Sequence, residues 1–592
     1  MTTINSTTRA GMRGNVWIGL GLAATLATLA ACGKGDSRVA AQTQAAAPPP
    51  APTCPASDSG LSLSKGFCAT IFADNVGHTR HMTVSPQGVV YVNTWSGLYY
   101  GNDKPPEGGF LVALQDTDGD GKADKTERFG AGVAEKATGG TGIALYGGAL
   151  YAEQNDGILK FAMTEGTAVP TGKPEKVVSG FPMTGDHFMH PFVIDKDGNL
   201  YVNSGSASNA CELKARQPGS KGHEPCTELD TRGGIWKYDA KKTGQRFAAG
   251  DRYATGIRNS GGQTFDAAGN LFAVQHGRDQ LPENYPAFYT PEVGRELPAE
   301  VMVQVEMGGD YGWPYCYYDG RQRKMMRAPE YGGDGKTTGD CTMKKTPAAH
   351  FPAHWAPNDV LIYTGTAFPK EWQGGAFVAF HGSWNRAPGP QGGYNVVFQP
   401  LLEGSASDPY VVFADGFAGA EKAPGRAEHR PSGLAMGPDG ALYISDDVKG
   451  RIWRVTHLGK GAPTAVGAAP APPPVAAAAG TGPIPLADLK PPPGGSAELV
   501  AQGEKVFRGQ VSNGTCTGCH GSDGRGTQVG SNLTSGTYLH SKGDLAGIKQ
   551  TIVKGVTTAK QAIGAMPPLG AAPLNDADVD AVAAYVWAIG HK

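Results

Sequence analysis

Two patterns of apolar and polar residues divide the chain. From about residue 54 to 458, short apolar runs are separated by glycine-rich turns, which is typical of β-strands and leaves little helical periodicity. One strand–turn–strand phrase is repeated along this span. Its clear copies lie at 82–92, 192–202, 263–273 and 434–444, and degenerate copies lie at 142–152 and 375–383. A hairpin repeated over a span of this length predicts an all-β six-bladed β-propeller.

Helical spacing of apolar residues appears instead near the C-terminus. The segment Ala497–Phe507 places its apolar residues on one side, and a last helix is expected to begin near Asn575–Asp576, which are good N-cap residue types. Residues 459–493 are rich in alanine, proline and glycine and are interpreted as a linker. The sequence therefore predicts a propeller followed by a small all-α domain over 494–592.

This small domain contains Cys516, Cys519 and His520 in the arrangement Cys-x-x-Cys-His, which is the attachment motif of a c-type haem. Each thiol can form a thioether with a haem vinyl group, and His520 is placed to ligate the iron. Met566, in a loop stiffened by two prolines, is the expected sixth ligand, and His540 is the competing candidate. The domain resembles a small class I cytochrome c that holds one haem c covalently.

The first residues have the features of a bacterial export signal. Two arginines precede an apolar run at 16–31, which is short for a membrane span and ends in Leu-Ala-Ala-Cys, similar to a lipobox. We expect a signal peptide at 1–31, a lipid on Cys32 and a flexible tether at 32–53; cleavage without lipidation is the alternative. This predicts a periplasmic protein held at a membrane through its lipid. The net charge of −2 gives no indication of a nucleic-acid partner.

The remaining cysteines agree with an oxidising compartment. The chain has nine cysteines, and Cys32 together with the two haem thiols leaves six. These six lie in neighbouring pairs: Cys54 with Cys68, Cys211 with Cys226, and Cys316 with Cys341. Three local disulfides are the expected pairing, chosen by proximity from the fifteen pairings that six cysteines allow.

A possible calcium loop lies early in the predicted propeller. Its acidic residues follow the pattern D-x-D-x-D-G-x5-E, with ligand positions at Asp116, Asp118, Asp120, Asp124 and Glu127. Oxygen ligands at alternate positions suit a hard cation, so the pattern predicts a structural Ca²⁺ site; a solvated acidic turn is the alternative.

From Asp186 onward, the predicted propeller resembles the soluble quinoprotein sugar dehydrogenases, and more closely their sorbosone dehydrogenase branch. The resemblance rests on the order and spacing of several short motifs: Asp186-His187, Gly256–Asn259, Gln275–Arg278, Gly308–Pro314, His381–Arg386 and Arg430. It implies the cofactor pyrroloquinoline quinone (PQQ), with hydride transfer from a sugar or a related alcohol or aldehyde.

The resemblance also implies residue roles. His187 would take the substrate's hydroxyl proton, a task suited to the pKa of imidazole, and Asp186 would orient it. Arg258 and Asn259 would lie over the quinone, where Arg258 could polarise its oxygen. The carbonyls of Gly277 and Arg278 would hold a Ca²⁺ beside the cofactor, and Arg430 would neutralise a cofactor carboxylate.

The sequence departs from the glucose-oxidising members at two cofactor-binding positions. Thr364 stands where those enzymes have a lysine, and Ser432 stands where they have the second arginine of a pair. Because PQQ carries three carboxylates, these changes remove two expected cationic partners. Arg386 is the candidate that could compensate.

The favoured interpretation is a dehydrogenase that reduces PQQ in the propeller and passes electrons to its own haem. An external acceptor, such as a soluble cytochrome, a quinone or an oxidase, would then receive them. Two alternatives remain: a Ca²⁺-dependent propeller lactonase, and a non-catalytic propeller that docks an electron-transfer partner. The fused cytochrome favours the dehydrogenase, since a lactonase has no use for it.

Overall fold

The computed structural model describes the chain from residue 59 to 591 with gaps. The described residues are 59–95, 107–164, 166–387, 389–423, 425–459, 484–509, 511–512, 516–520, 524–526, 530–556, 560, 566, 568–572 and 574–591. The predicted signal peptide, Cys32 and the tether lie outside these residues. In the described part of the chain, no helix combines the length and the apolar character needed to cross a bilayer.

Short strands dominate the first two thirds of the molecule. The described strands are, in chain order, Ser62–Leu63 (β1), Phe67–Ala73 (β2), Thr79–Val84 (β3), Val90–Thr94 (β4), Gly109–Gln115 (β5), Lys125–Gly132 (β6), Gly139–Tyr146 (β7), Ala149–Gln154 (β8), Gly157–Ala162 (β9), Glu175–Ser179 (β10), Phe192–Ile194 (β11), Asn199–Ser204 (β12), Gly234–Asp239 (β13), Gln245–Arg246 (β14), Arg252–Thr255 (β15), Gln263–Phe265 (β16), Leu271–Gln275 (β17), Glu300–Val305 (β18), Cys316–Asp319 (β19), Lys324–Arg327 (β20), Ala349–Phe351 (β21), Pro357–Ile362 (β22), Ala376–Phe380 (β23), Asn395–Gln399 (β24), Leu401–Leu402 (β25), Ser405–Ala406 (β26), Val411–Asp415 (β27), Pro431–Met436 (β28), Leu442–Asp446 (β29) and Ile452–His457 (β30). The described α-helices are Leu281–Asn284 (α1), Pro291–Arg295 (α2), Ala497–Phe507 (α3), Cys516–His520 (α4), Leu545–Lys554 (α5) and Asp576–Gly590 (α6).

Six sheets of four or five strands form the blades of a propeller, which confirms the predicted fold. In chain order the blades are β3–β6, β7–β10 with β14, β11–β13 with β15, β16–β18 with β21, β22–β24 with β27 and β1, and β28–β30 with β2. The last blade closes the ring, because the early strand β2 pairs with the late strand β30. The apolar sides of neighbouring blades form the core; one cluster, for example, joins Tyr201 and Ile235 of the third blade to Leu271 and Val303 of the fourth.

The repeated phrase corresponds to the first hairpin of a blade. In its copies Met82 pairs with Val92, Phe192 with Val202, Gln263 with Ala273, Leu434 with Ile444, and Ile143 with Ala152. The copy predicted at 375–383 was wrong in its bounds, because β23 pairs with the distant strand β22. There a longer connection replaces the tight turn, and its Trp372 packs against the aromatic core.

Substitution of Phe67, which lies on the closing strand β2, tests how much ring closure contributes to stability. Its ring is 7% exposed and meets Phe368 and Phe413 at centroid distances of 4.8 Å each, and Trp372 at 5.2 Å. Phe67→Ala should lower the free energy of unfolding by about 3–5 kcal/mol, since it leaves a cavity where the first and last strands meet. Urea unfolding followed by tryptophan fluorescence measures this change. Val412→Ala, at a side chain 42% exposed, is the control and should have little effect; an equally small loss for Phe67→Ala would contradict this view of closure.

The C-terminal domain is helical, as predicted. Helix α3 coincides with the predicted segment, and α6 begins after Asn575, whose side chain accepts from the Asp578 amide and forms a capping box with it. The two helices cross closely at Gly503, where an added Cβ would lie 2.0 Å from the Ala581 carbonyl oxygen. Leu489 packs into this domain's core, so the ordered domain includes residues that the sequence assigned to the linker.

Two of the three predicted disulfides lie wholly within the described residues, and both are confirmed. Cys211 is bonded to Cys226, and Cys316 is bonded to Cys341. Both tie together long connections on the propeller. Cys54, in the third predicted pair, lies outside the described residues.

Candidate functional site

The innermost strands of the six blades surround one cavity. Strands β3, β7, β11, β16, β22 and β28 contact each other in turn around the propeller axis. The cavity of about 310 Å³ is lined by residues at or beside the ends of these strands, which come from all six blades. A volume of this size is in the lower range for small-molecule sites. Most of the residues that the sequence predicted for the propeller site line this cavity: Asp186, His187, Arg258, Asn259, Gly277 and Arg430.

His187 lies in the cavity wall with one ring nitrogen fixed. Its Nδ1 is 2.9 Å from the Ser206 hydroxyl oxygen and 3.1 Å from the Ser206 carbonyl oxygen. Loss of hydration, and then the positive charge of Arg258, lower the pKa of His187 well below its usual value. The imidazole is therefore neutral near pH 7. With Nδ1 used by Ser206, Nε2 is the nitrogen available to take a proton from a ligand.

Asp186 does not orient His187, and that prediction was wrong. The Asp186 carboxylate instead accepts a hydrogen bond from the Arg216 guanidinium at 2.6 Å, and its side chain is 36% exposed. The carboxylate turns outward because Arg216 offers it a charged partner at the cavity rim. Ser206 holds the position that the sequence assigned to Asp186.

Asp279, which the sequence reasoning missed, organises the cavity floor. Its carboxylate lies 3.1 Å from both Arg216 and Arg258, and it accepts from the Asn385 side-chain amide at 2.7 Å. These two arginines hold the pKa of Asp279 well below its usual range despite its burial. Asp279 directly follows the motif Gln275–Arg278, and this position next to predicted site residues could have identified it from the sequence.

Arg258 is buried and firmly held. It donates from Nε to the Asn209 carbonyl at 3.0 Å and from Nη1 to the Gly277 carbonyl at 2.8 Å, besides its pairing with Asp279. Beside it, the Asn259 amide oxygen accepts from Asn203 at 3.3 Å. Both residues line the cavity, as the resemblance implied.

The predicted calcium carbonyls do not fit a cation as they are arranged. The Gly277 carbonyl already accepts from Arg258, whose positive charge opposes a divalent ion at the same oxygen. Arg278 is not among the cavity-lining residues. We therefore assign no step to calcium in this cavity.

The acidic loop at 116–127 is also less complete than predicted. Carboxylate oxygens of Asp116, Asp118 and Asp120 lie within 4.8 Å of one another. Asp124 instead accepts from Thr117, and Glu127 lies on β6 at 2.8 Å from the Lys125 ammonium. Asp124 is held by Thr117 and Glu127 lies within β6, so only three of the five predicted ligands converge.

Four arginines line the central cavity: Arg80, Arg216, Arg258 and Arg430. The sequence reasoning missed Arg80 and Arg216. The Arg80 guanidinium lies 2.5 Å from Asp447 and 4.9 Å from the centre of the Trp95 ring. Arg430 donates to the carbonyls of His381 and Gly382, so its positive charge stays available to an anion.

The two departures from the family pattern have different consequences. Ser432 lines the cavity, so the arginine that the glucose-oxidising enzymes have at this position is absent from the cavity. Thr364 lines a separate surface pocket, and no cation is lost from the cavity there. Arg386 does not compensate: it donates to the carbonyls of Arg295 at 2.7 Å and Ala353 at 3.0 Å, and is not among the cavity-lining residues. Its side chain turns away because these carbonyls lie behind the cavity wall.

The C-terminal domain contains a second, largely apolar cavity. Cys516, Cys519, His520, His540 and Met566 all line it, so the structure brings the predicted haem residues together. His520 Nδ1 lies 2.8 Å from the Ser531 carbonyl oxygen, which leaves Nε2 for iron and fixes the ring. The Met566 backbone pairs with Val556 at 2.9 and 2.7 Å, which holds its loop at the cavity. Cysteine, histidine and methionine around an apolar cavity suit a covalently bound haem.

Fold and site together define a class: a quinoprotein-type β-propeller joined to a cytochrome c domain. Residues 61–458 match the family described as TrAA12-like, and residues 498–586 match the cbb3-type cytochrome c oxidase subunit III family. The chain therefore belongs to the TrAA12-like family and carries a C-terminal cytochrome c domain.

Individual relatives agree with this assignment. An uncharacterised protein of Borreliella burgdorferi is 30% identical over 205 residues, which are 34% of this chain and 48% of that protein. A PQQ-dependent pyranose dehydrogenase of Coprinopsis cinerea is 27% identical over 235 residues, 34% of this chain and 31% of that enzyme. The chain thus spans less than half the length of these relatives. The solved PQQ domain of the C. cinerea pyranose dehydrogenase, in its holo form, shares the fold with a TM-score of 0.53 and 20% identity, over 69% of this chain and 99% of that one.

Proposed function

We propose that this chain is a periplasmic, lipid-anchored quinohaemoprotein dehydrogenase. It oxidises a sugar, or a related alcohol or aldehyde, with PQQ in the propeller cavity, and passes the electrons to its haem c and then to an external acceptor. One observation carries the proposal: neutral His187 and four arginines share one cavity, in a chain that also holds a haem-binding domain.

The cavity suits a polyanionic quinone. PQQ has three carboxylates, and guanidinium groups pair with carboxylates through two parallel hydrogen bonds. Arg80 and Arg430 come from the first and last blades, whereas Arg216 and Arg258 share the Asp279 carboxylate. When bound, PQQ would supply the two-electron acceptor.

The chain's own residues then have definite tasks. His187 accepts the hydroxyl proton at Nε2, and Ser206 fixes the ring through Nδ1. Arg258, held by Asp279 and Asn209, keeps one positive group at a fixed place in the cavity wall, where it stabilises developing negative charge. A sugar substrate is supported by the name of the C. cinerea relative, a pyranose dehydrogenase.

The periplasmic location and the lipid anchor are supported by the export-signal pattern and by two disulfides, which persist in oxidising compartments. Metabolic labelling with a radioactive fatty acid tests the anchor. We expect label on the wild type and none on Cys32→Ala; label on both would contradict lipidation at Cys32.

Arg80 should be a cofactor anchor. Arg80→Gln should weaken PQQ binding by roughly 10- to 100-fold, because a hydrogen bond to a charged group contributes about 1.5–3 kcal/mol. Titration of the PQQ-free protein, followed by cofactor absorption, measures the dissociation constant. Arg386→Gln removes a guanidinium from behind the wall and should leave PQQ affinity unchanged. Equal affinities of wild type and Arg80→Gln, with both proteins folded, would exclude this role.

The substrate class is tested by reduction of a soluble redox dye. The PQQ-loaded protein is offered aldoses, sorbosone and simple alcohols in separate assays. We expect dye reduction with at least one carbonyl- or hydroxyl-bearing sugar. Turnover only with simple alcohols would exclude the sugar, and no turnover despite PQQ binding would exclude the dehydrogenase.

A further inference from the structure

The helix that carries the haem-attachment motif lies against the wall of the propeller cavity. Cα atoms of α4 come within 8 Å of those of the short turn Trp384–Arg386. In the same turn, Trp384 and Asn385 line the cavity, and Asn385 donates to Asp279 on its floor. The turn therefore contacts α4 and also contributes two side chains to the cavity lining.

Arg386 fixes this turn from behind. Besides its bonds to the Arg295 and Ala353 carbonyls, its Nε donates to the Pro390 carbonyl at 3.0 Å, and Nη2 lies 2.8 Å from the Glu296 carboxylate. The Ser383 hydroxyl caps the turn by accepting from the Asn385 amide at 3.2 Å. Such a dense set of bonds gives the turn one fixed position.

The attachment chemistry places one edge of the haem at α4. Cys516 and Cys519 bind the haem through its vinyl groups, so the bonded edge follows this helix. Because α4 contacts the turn, a haem bonded to this helix would be held near the turn, and Trp384 of the turn lines the cavity.

We propose that the turn Ser383–Arg386 is the docking site for the haem domain and the exit by which electrons leave the cavity, with Trp384 in the path and Arg386 as a positioning residue. This rests on the proposed function. Oxidation of one C–OH group to C=O releases two electrons and two protons. The haem of a chain takes one electron at a time and is reoxidised by the external acceptor in between, so two iron reductions accompany each substrate molecule. The hydroxyl proton goes to His187, and the second proton, which would leave the substrate with the hydride, is released to solvent as the two electrons leave.

Docking is tested first without any cofactor in the propeller. Amide hydrogen exchange of residues 383–387 is measured in the haem-containing full chain and in Thr517→Arg, which places a long cation on α4 between the two haem cysteines. We expect faster exchange of this turn in Thr517→Arg, with unchanged haem content. Identical exchange in both proteins would overturn the docking site, whether or not the chain is a dehydrogenase.

Electron transfer is tested next in PQQ-loaded protein by stopped-flow absorption of the haem. Arg386→Ala and Thr517→Arg should each slow haem reduction by substrate by roughly tenfold or more, because small displacements have large effects on positioned reactions. Reduction of a soluble dye by Thr517→Arg should stay within about twofold, since Thr517 is not among the residues that line the cavity. Arg246→Ala, on the outer strand β14, is the matched control and should change neither rate.

Failure of the proposed exit route and failure of the proposed function give different experimental results. Unchanged haem reduction in both variants would overturn the exit route, whereas absence of dye reduction in the wild type would overturn the proposed function. If Arg386→Ala lowers dye and haem reduction equally, the turn supports the cavity only and the positioning role is excluded.

Discussion

His187→Ala should lower the rate of substrate oxidation by roughly 10²- to 10⁴-fold, which is the usual contribution of a positioned general base. The proton of the substrate hydroxyl then has no acceptor at the place where Nε2 now lies. PQQ affinity should change little, because the four arginines remain. Dye-linked turnover at saturating PQQ measures the loss, and PQQ titration of the same variant shows that the cavity is intact.

The exposed residue His223 offers a matched control, and His223→Ala should keep full activity. Wild-type turnover in His187→Ala would remove His187 as the base. The pH profile gives an independent check. Burial and Arg258 lower the pKa of His187 from the ordinary histidine value of 6.5. The imidazole therefore stays neutral, and able to accept a proton, at pH values below 6.5. The acid limb of kcat/KM should therefore lie well below pH 6.5, and a limb at or above 6.5 would contradict this environment.

Met566→Ala should have the second large effect, which is on the haem. Removal of the thioether takes away the ligand that raises the potential of a Met–His haem, so the midpoint potential should fall on the order of 0.1 V or more. The absorption band typical of methionine–iron ligation should disappear. Redox titration and absorption spectroscopy of the full chain measure both changes.

His540→Ala is the matched variant, since His540 lines the same cavity. If Met566 is the sixth ligand, the haem spectrum and midpoint potential of His540→Ala should equal those of the wild type. An unchanged spectrum for Met566→Ala together with an altered one for His540→Ala would assign the sixth position to His540 instead.

The local pattern predicted the fold well because each blade begins with the same hairpin. A strand pair such as β11 and β12 is specified by alternating apolar residues and a glycine turn, all within eleven residues. The haem domain was predictable for a similar reason: Cys516–His520 and the capped start of α6 are short, local signals. The copy near 375 failed because its pairing partner lies across a long connection.

The site was only partly predictable, because its residues are far apart in the sequence and come together only when the six blades close into a ring. Arg80 reaches the cavity from the first blade and Arg216 from a long loop between blades, and no local motif connects them. The direction of a side chain was equally hidden. Asp186 turns to Arg216, and Arg386 turns to carbonyls behind the wall, although both belong to motifs that line the cavity.

The central claim is that one chain couples the oxidation of a substrate in its propeller to its own haem. The most direct test uses the full-length protein with oxidised haem, under anaerobic conditions, and follows the haem spectrum. We predict that the haem of each chain takes up one electron only when both PQQ and a substrate sugar are present. With an excess of an external ferric cytochrome as acceptor, two one-electron reductions should accompany each substrate molecule oxidised. Haem that stays oxidised in fully PQQ-loaded protein while the substrate is consumed, or a chain that binds no PQQ, would contradict it.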